Sequence, residues 1–183
     1  EGTSVLDSSP EEIKRKISIS LGLAPVEVGG CKINLLDAPG FADFVGEAEA
    51  AMYVADLAVI VVNGTAGVEP ETERFFDMVQ SQGKPAVFLI NQMDKDDADF
   101  SAAVDKIRSA LTQKAVPFAA PIGSGSGFKG LVDIVAGQAY EDAGAGDSKP
   151  TDIPGDLQAS IEEQRNSLAE AAAESEDALL EKY

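Results

Sequence analysis

Histidine and tryptophan are absent from this sequence of 183 residues, and cysteine occurs once, at Cys31. Without histidine the chain can build neither a Ser-His-Asp triad nor a His-ligated zinc site, and it has no imidazole for acid–base catalysis. A single cysteine excludes an internal disulfide, which is typical of proteins in a reducing compartment. We therefore expect a cytoplasmic protein in which Cys31 is an ordinary residue at a strand edge.

Basic residues are also scarce, because 14 Lys and Arg accompany 32 Asp and Glu, for a formal net charge of −18. Nucleic-acid affinity rests largely on Lys and Arg displacing counterions from phosphates, so we expect no broad nucleic-acid binding, although a local basic contact to RNA stays open. No apolar run approaches the roughly 20 residues that a membrane span needs, and no signal peptide is recognisable, so no membrane partner is expected.

What the chain does contain is an alternation of apolar runs and helical patterns. A short helix starts near Pro10, residues 17–21 alternate as a strand or an extended loop, and Gly29-Gly30 predicts a hairpin turn. The alternation predicts an α/β fold with a doubly wound, mostly parallel sheet. Strands are predicted over residues 23–28, 31–37, 57–62, 86–90 and 116–122, and helices over 43–55, 70–81 and 100–111.

The composition changes at the flexible Gly-Ser-Gly-Ser-Gly segment, residues 123–127. Beyond it we expect a short element and a strand within residues 128–140, a loop over 141–149, and a helix from Asp156 to about Ser175. A further helix is predicted from Asp177. We therefore divide the chain into one domain of residues 1–122 and the start of a second over residues 123–183.

The first candidate site is Asp37-Ala38-Pro39-Gly40, which directly follows an apolar strand. Open α/β sheets bind ligands at the carboxyl ends of their strands. An Asp there can hold Mg²⁺ through water, and a glycine lets the backbone approach a phosphate closely. The alternative is a simple strand-ending turn before a helix.

The second candidate site is Asn91-Gln92-Met93-Asp94, which directly follows the apolar strand predicted over residues 86–90. The two oxygens of an Asp carboxylate can accept from the ring N–H and the exocyclic amine of guanine, a donor pair that adenine lacks. A plain polar strand-to-loop transition is the alternative. A helix-strand-helix block separates the two motifs, as two sides of one sheet crevice require, so together they predict a guanine-nucleotide site.

The motifs resemble those of translational GTPases, and most closely those of elongation factor G-like proteins. Residues 35–44 resemble their Asp-Thr-Pro-Gly-His-x-Asp-Phe switch motif, and Asn91-Gln92-Met93-Asp94 resembles their Asn-Lys-Met-Asp guanine motif. Three further segments are similar in the same order: residues 11–19 to the Glu-Arg-Gly-Ile-Thr-Ile end of the first switch, 64–73 to Ala-Gly-Val-x-x-Gln-Thr-Glu, and 128–140 to the opening of the insertion subdomain of elongation factor G.

This resemblance implies a P-loop NTPase-type fold, with GTP or GDP and Mg²⁺ as cofactors and the ribosome as partner of the full-length protein. Ser18 stands where the family has its Mg²⁺-ligating Thr, and Asp37 would hold the same ion through water. The segment Ala38-Pro39-Gly40-Phe41 would face the nucleotide, with the Gly40 backbone at the γ-phosphate. Asn91 and Asp94 would read guanine, with Gln92 and Met93 completing the motif.

The departures from the family pattern bear on activity. Phe41 occupies the position of the His that orients the attacking water, and a phenyl ring cannot orient water, so hydrolysis is expected to be slow or differently arranged. Gln92 replaces a Lys and Ala38 replaces a Thr. A hydrolysis-impaired regulator, or a ribosome-binding paralogue, is therefore the main alternative to a working GTPase, and a guanine-nucleotide switch unrelated to translation is a third reading.

The phosphate loop, Gly-x-x-x-x-Gly-Lys-Ser/Thr, does not occur in this sequence. In the family it precedes the first switch together with the first, central strand of the sheet, so we expect the chain to be a fragment. On this expectation the 183 residues alone are inactive and bind GTP weakly or not at all, whereas the full-length protein binds it.

Overall fold

The computed structural model describes residues 4–144 and 146–174, which divide between two compact units. The first unit contains the chain up to residue 60 together with residues 70–88, and the second contains residues 61–69 and those from 89 onward. The helices are α1 (Pro10–Arg15), α2 (Val45–Val54), α3 (Pro70–Ser81), α4 (Phe100–Ala110) and α5 (Gln158–Ala173). The strands are β1 (Gly22–Val28), β2 (Cys31–Asp37), β3 (Ala58–Asn63), β4 (Ala86–Asn91), β5 (Ala119–Ile122), β6 (Gly130–Asp133), β7 (Gln138–Gly144) and β8 (Asp147–Thr151).

Helix α1 begins with a capping box, in which two polar residues satisfy each other's backbone donors. The Ser9 side chain accepts from the Glu12 N–H, and the Glu12 side chain accepts from the Ser9 N–H. Pro10 occupies the first turn, where its missing N–H costs no hydrogen bond. The helix ends at Lys16, which adopts a left-handed conformation with φ 56°. The predicted short helix is thus confirmed.

Strands β1 and β2 form an antiparallel hairpin that pairs Gly22 with Asp37. Its turn is Gly29-Gly30, with φ of 58° and 79°, values that glycine adopts without steric cost. The prediction of a buried strand before Asp37 is wrong for β2, because Ile33 and Leu35 remain 44% and 49% exposed. Within the described residues β2 pairs with β1 alone. A two-stranded hairpin cannot cover its own faces, so the apolar side chains of β2 stay accessible.

Strands β3 and β4 run in the same direction and form a two-stranded sheet. The Ala58 N–H donates to the Pro85 carbonyl at 3.0 Å where the pair begins, and the Gly64 N–H donates to the Asn91 carbonyl at 2.8 Å where it ends. The apolar run in β3 predicts burial of both faces, but Val59 and Val61 are more than half exposed and alternate with buried residues. Only one face of β3 is therefore buried among the described residues.

The second unit contains an antiparallel sheet in the order β5-β6-β7-β8. The sequence predicts β5 as the last strand of the parallel set, but β5 pairs antiparallel with β6. The connection between them, residues 123–129, is too short for the crossover that a parallel pair needs. The predicted loop over residues 141–149 is also wrong, because β7 and β8 form a hairpin there, with Glu141 opposite Lys149 and their charged ends 3.6 Å apart.

Helix α5 packs on this sheet, and its predicted span differs from the observed one by two residues at each end. Its Ile161 joins Val132, Ile134 and Ala139 in a buried apolar cluster. The helix predicted from Asp177 lies outside the described residues. Among residues 4–144 and 146–174, no helix combines the length and the apolarity that crossing a membrane requires.

Candidate nucleotide-binding site

Asp37 is the last residue of β2, and it is half-buried. Burial raises the pKa of its carboxyl group above the ordinary value of 3.8, and the negative charge of Asp7 raises it further. A carboxylate whose charge is disfavoured by both effects gains from a nearby cation. The strand end thus presents the group that the sequence predicts, with a second acidic side chain in its field.

Sequence reasoning missed Asp7, which lies in the polar segment before α1. Nothing in the local sequence distinguishes that carboxylate from any other acidic residue in a polar opening segment. Its influence on Asp37, 30 positions further along the chain, arises only from the fold. The actual cap of α1 is Ser9, which leaves Asp7 available for another role.

The chemistry of these residues suits Mg²⁺, a hard cation that prefers oxygen ligands and keeps several water molecules. Within the described ranges, no three His, Cys, Asp or Glu side chains converge in a cage that could hold a metal ion alone. An ion held mainly by water, nucleotide phosphates and one or two protein oxygens needs no such cage. Asp37 and Asp7 fit that kind of site.

The turn after Asp37 is held mainly by Pro39, which is buried, while Gly40 is exposed. A Cβ placed on Gly40 would meet no atom within 4 Å, and its φ lies outside the left-handed region. The protein's own packing therefore does not require glycine at this position. Any requirement for it would come from a ligand that approaches the backbone.

Phe41 follows the turn and is 54% exposed. It precedes a 3₁₀ helix, Ala42–Phe44, whose first turn closes when the Phe44 N–H donates to the Phe41 carbonyl at 3.0 Å. Its ring is not part of the buried core. The structure thus offers an accessible phenyl group at the position where the resemblance implies a water-orienting side chain.

Ser18, the other predicted Mg²⁺ ligand, is half-buried in an irregular segment, residues 17–21. Of the two structures expected there, a strand or an extended loop, the strand does not form, because three consecutive N–H groups donate to carboxylates instead of to a neighbouring strand. Those of Ile19 and Ser20 donate to Glu12 at 3.0 Å each, and that of Leu21 donates to Glu47 at 2.8 Å. Ser18 and Asp37 both belong to the first compact unit.

The guanine motif, residues 91–94, lies in the second unit and is closed by backbone hydrogen bonds. The Asn91 carbonyl accepts from the Gly64 N–H at 2.8 Å, and the Met93 carbonyl accepts from the Gly125 N–H at 2.8 Å. Met93 itself is buried, whereas Asp94 is exposed. The Asp94 carboxylate is thus presented to solvent on a loop that is anchored on both sides.

Within this loop Gln92 adopts φ 61°, which is uncommon for a residue other than glycine. Its N–H donates to the Asn91 side-chain oxygen at 2.8 Å, and its own side-chain oxygen accepts from the Asn63 amide at 3.2 Å. Asn63 also accepts from the N–H groups of Thr65 and Ala66. Asn63, which sequence reasoning missed, therefore links the end of β3 to the guanine motif.

Gly64 is a second residue that the sequence does not reveal. A Cβ on Gly64 would lie 2.9 Å from the Asn91 carbonyl oxygen and 2.9 Å from the Met93 sulfur, closer than real side chains approach. Its carbonyl also accepts from the Asp99 N–H at 3.1 Å, immediately before α4. Gly64 therefore allows the end of β3 to pack directly against the guanine motif.

A strand ending in Asp and a Pro-Gly turn, and a second strand ending in Asn-x-x-Asp, are features of an α/β nucleotide-binding domain. The family model of the elongation factor Tu GTP binding domain matches residues 1–175. The chain belongs to this family, whose members are GTP-binding domains of the translational GTPase type. The predicted P-loop NTPase-type α/β fold is thereby confirmed.

Among solved structures, the chain is similar to the crystal structure of a protein from Thermus thermophilus. The two are 32% identical and superimpose with a TM-score of 0.91 over the whole of the present chain. The match covers 27% of the Thermus chain. The present sequence therefore spans about a quarter of the length of that relative.

Proposed function

We propose that this chain is the GTP-binding part of an elongation factor G-like translation factor that hydrolyses GTP at the ribosome in the cytoplasm. The observation that carries the proposal is the match of the elongation factor Tu GTP binding domain over residues 1–175. The choice of elongation factor G rests on the resemblance of residues 128–140 to the opening of its insertion subdomain. On this proposal residues 1–122 are part of the GTP-binding domain, and residues 123–183 begin the insertion.

The residue roles follow from the two motifs. Asp37 and Ser18 would hold Mg²⁺, with the negative charge of Asp7 adding to the attraction for the ion, and the Gly40 N–H would donate to the γ-phosphate. The ion would neutralise phosphate charge as GTP binds. The exposure of Gly40 and the raised pKa of Asp37 support this assignment.

Guanine recognition would rest on Asp94, with the loop around it held in place by Gly64 and Gly125. In the full-length protein, Asp94→Asn should weaken GTP binding by about 10- to 100-fold, the worth of a charge-assisted hydrogen-bond pair. Asp96→Asn is the matched control, because it removes the same charge two residues away. Equal GTP affinities in the wild type and the Asp94 variant would remove Asp94 from the site.

The second candidate is a GTP-binding regulator that turns over slowly, and the position of Phe41 favours it. The phenyl ring is accessible but offers no polar atom with which to orient water. Ribosome-stimulated GTP hydrolysis by the full-length protein separates the two candidates, with Phe41→His as the test variant and Phe41→Leu as its control. A large gain for the His variant alone identifies a hydrolysis-impaired protein, whereas a wild type that already matches the His variant identifies a working GTPase.

A further inference from the structure

We propose that Glu12 is a positioning residue for Ser18, holding the segment that carries this hydroxyl in the shape that Mg²⁺ binding needs. The inference rests on the proposed function, because it assumes that Ser18 contacts the ion. Glu12 does not touch the nucleotide in this scheme, and it acts through the backbone on both sides of Ser18.

Glu12 is 3% exposed, although it carries a carboxylate. One of its carboxylate oxygens accepts from the N–H groups of Ile19 and Ser20, each at 3.0 Å. The other oxygen accepts from the Ser9 N–H at 3.0 Å. A buried carboxylate is costly unless such donors surround it, so the three contacts are what allows it to stay charged in this place.

The same residue also controls the chain before Ser18. The Glu12 backbone carbonyl accepts from the Lys16 N–H at 2.7 Å, which closes the left-handed end of α1. The side chain then captures the two N–H groups that follow Ser18. Ser18 is therefore bracketed by contacts to one residue, and the Leu21–Glu47 hydrogen bond fixes the next position along the chain.

A carboxylate is better suited to this task than an amide. All three backbone groups that face the Glu12 side chain are donors. These donors hold the pKa of Glu12 at about 2, well below its ordinary value of 4.5. In Glu12→Gln the side-chain NH₂ would have to face one of those backbone N–H groups. Two donors would then point at each other, and no hydrogen bond could form between them.

The test measures how much Mg²⁺ the full-length protein needs to bind GTP, by titrating a fluorescent GTP analogue at several Mg²⁺ concentrations. The variants are Glu12→Gln, Ser18→Ala and the double variant. Glu11→Gln is the matched control, because Glu11 precedes Glu12 on α1 but has an exposed side chain, which accepts from Arg15 at 3.0 Å. Nucleotide affinity in excess chelator and thermal unfolding are recorded for every protein.

We expect Glu12→Gln to raise the half-saturating Mg²⁺ concentration by about tenfold, the worth of one charged hydrogen bond. Ser18→Ala should give a similar rise, and the double variant should not exceed Ser18→Ala, because Glu12 acts through that hydroxyl. Glu11→Gln should match the wild type. Affinity in chelator should be the same for all, since a general structural defect would lower it as well.

Each other outcome has a defined meaning. The positioning role is overturned, with GTP binding left intact, by any of three results. The first is that Glu12→Gln shows the Mg²⁺ dependence of the wild type, and the second is that the effects of the two single variants add fully in the double variant. The third result is a loss of affinity for Glu12→Gln that is as large in chelator as in Mg²⁺. The role is also overturned if Ser18→Ala changes nothing. If the wild type binds no GTP, the proposed function itself fails. If Glu12→Gln does not fold, Glu12→Asp is measured instead, with a smaller rise expected because the shorter carboxylate cannot reach all three donors.

Discussion

The guanine motif, residues 91–94, and the turn after Asp37, residues 38–41, are built in different ways. The loop at residues 91–94 is closed from two directions by backbone hydrogen bonds, and its centre, Met93, is buried. The turn at residues 38–41 follows β2, in which Ile33 and Leu35 are about half exposed. Of the four turn residues only Pro39 is buried. The loop proposed to read the base is thus shaped by contacts within the protein, whereas the turn proposed to meet the phosphates offers groups that a ligand could still organise.

Two glycines express this contrast most clearly. At Gly64 a Cβ would collide with the Asn91 carbonyl and the Met93 sulfur, whereas at Gly40 it would meet nothing within 4 Å. The first glycine is required by the packing of the guanine motif. The second is not required by packing, which fits the proposal that a ligand meets the backbone there. The contrast leads to four predictions, in order of decreasing expected effect.

The largest effect is expected for Gly64→Ala, because the Asn91 backbone and the Met93 side chain must move to admit the methyl group. We expect a loss of about 2–3 kcal/mol in the free energy of unfolding, within the range for overpacking at a crowded site. Urea denaturation measures it. Gly46→Ala is the control, since its Cβ has free space within α2 and alanine favours helix. An unchanged Gly64→Ala stability would contradict the packing argument.

The second effect concerns pH on the switch side. The pKa of Glu12 is about 2 in the folded protein against 4.5 for the free side chain. Its ionised form therefore stabilises the fold fully above pH 4.5, and this contribution is lost as the pH falls towards 2. The stability difference between wild type and Glu12→Gln should shrink over that interval. A difference that stays constant with pH would show that the carboxylate charge is not what the three donors bind.

A smaller effect, of opposite sign, is expected at Lys16. This residue holds φ 56°, a region that glycine enters freely, and the family motif that it resembles has Gly there. Lys16→Gly should therefore stabilise the protein by about 0.5–1 kcal/mol, the relief of left-handed strain less the entropy cost of glycine. Thermal unfolding detects the change. A destabilised variant would mean that the lysine side chain makes a contribution that outweighs the strain.

The smallest effect on stability is expected for Gly40→Ala, within about 0.5 kcal/mol of the wild type because the site is exposed. Its effect on GTP affinity should be much larger, since the added methyl group would stand where the backbone meets the γ-phosphate. Measuring both quantities on one variant separates the fold from the ligand. Equal GTP affinity in wild type and variant would remove Gly40 from the proposed phosphate contact.

The fold was largely predictable where periodicity decides the structure. Helix α3 begins at Pro70 and ends at Ser81 as predicted, and β1, β3 and β4 lie within one residue of their predicted ends. Prediction failed where side chains compete with the backbone ladder or where turns are unusual. The alternation over residues 17–21 does not decide between a strand and an extended loop, and the strand is excluded because carboxylates accept from three of the N–H groups. The β7–β8 hairpin was hidden by a composition typical of loops, and its glycines at 144 and 146 both have positive φ.

The candidate site shows the same division. Asp37, Gly40, Asn91 and Asp94 can be proposed from sequence because each motif is local and follows a strand directly. Asp7 and Glu12, together with Asn63 and Gly64, could not be predicted, because their contacts join residues that are distant along the chain. Sequence therefore identifies the groups that would meet the nucleotide, and the structure adds those that hold them.

The most direct test of the proposed guanine-nucleotide site is a calorimetric titration of the full-length protein with GTP and, separately, with ATP, each with and without Mg²⁺. We predict binding of GTP that strengthens with Mg²⁺, and no comparable binding of ATP, because an Asp carboxylate has no donor pair to accept from on adenine. Absence of GTP binding, or equal affinity for ATP and GTP, would contradict the proposal.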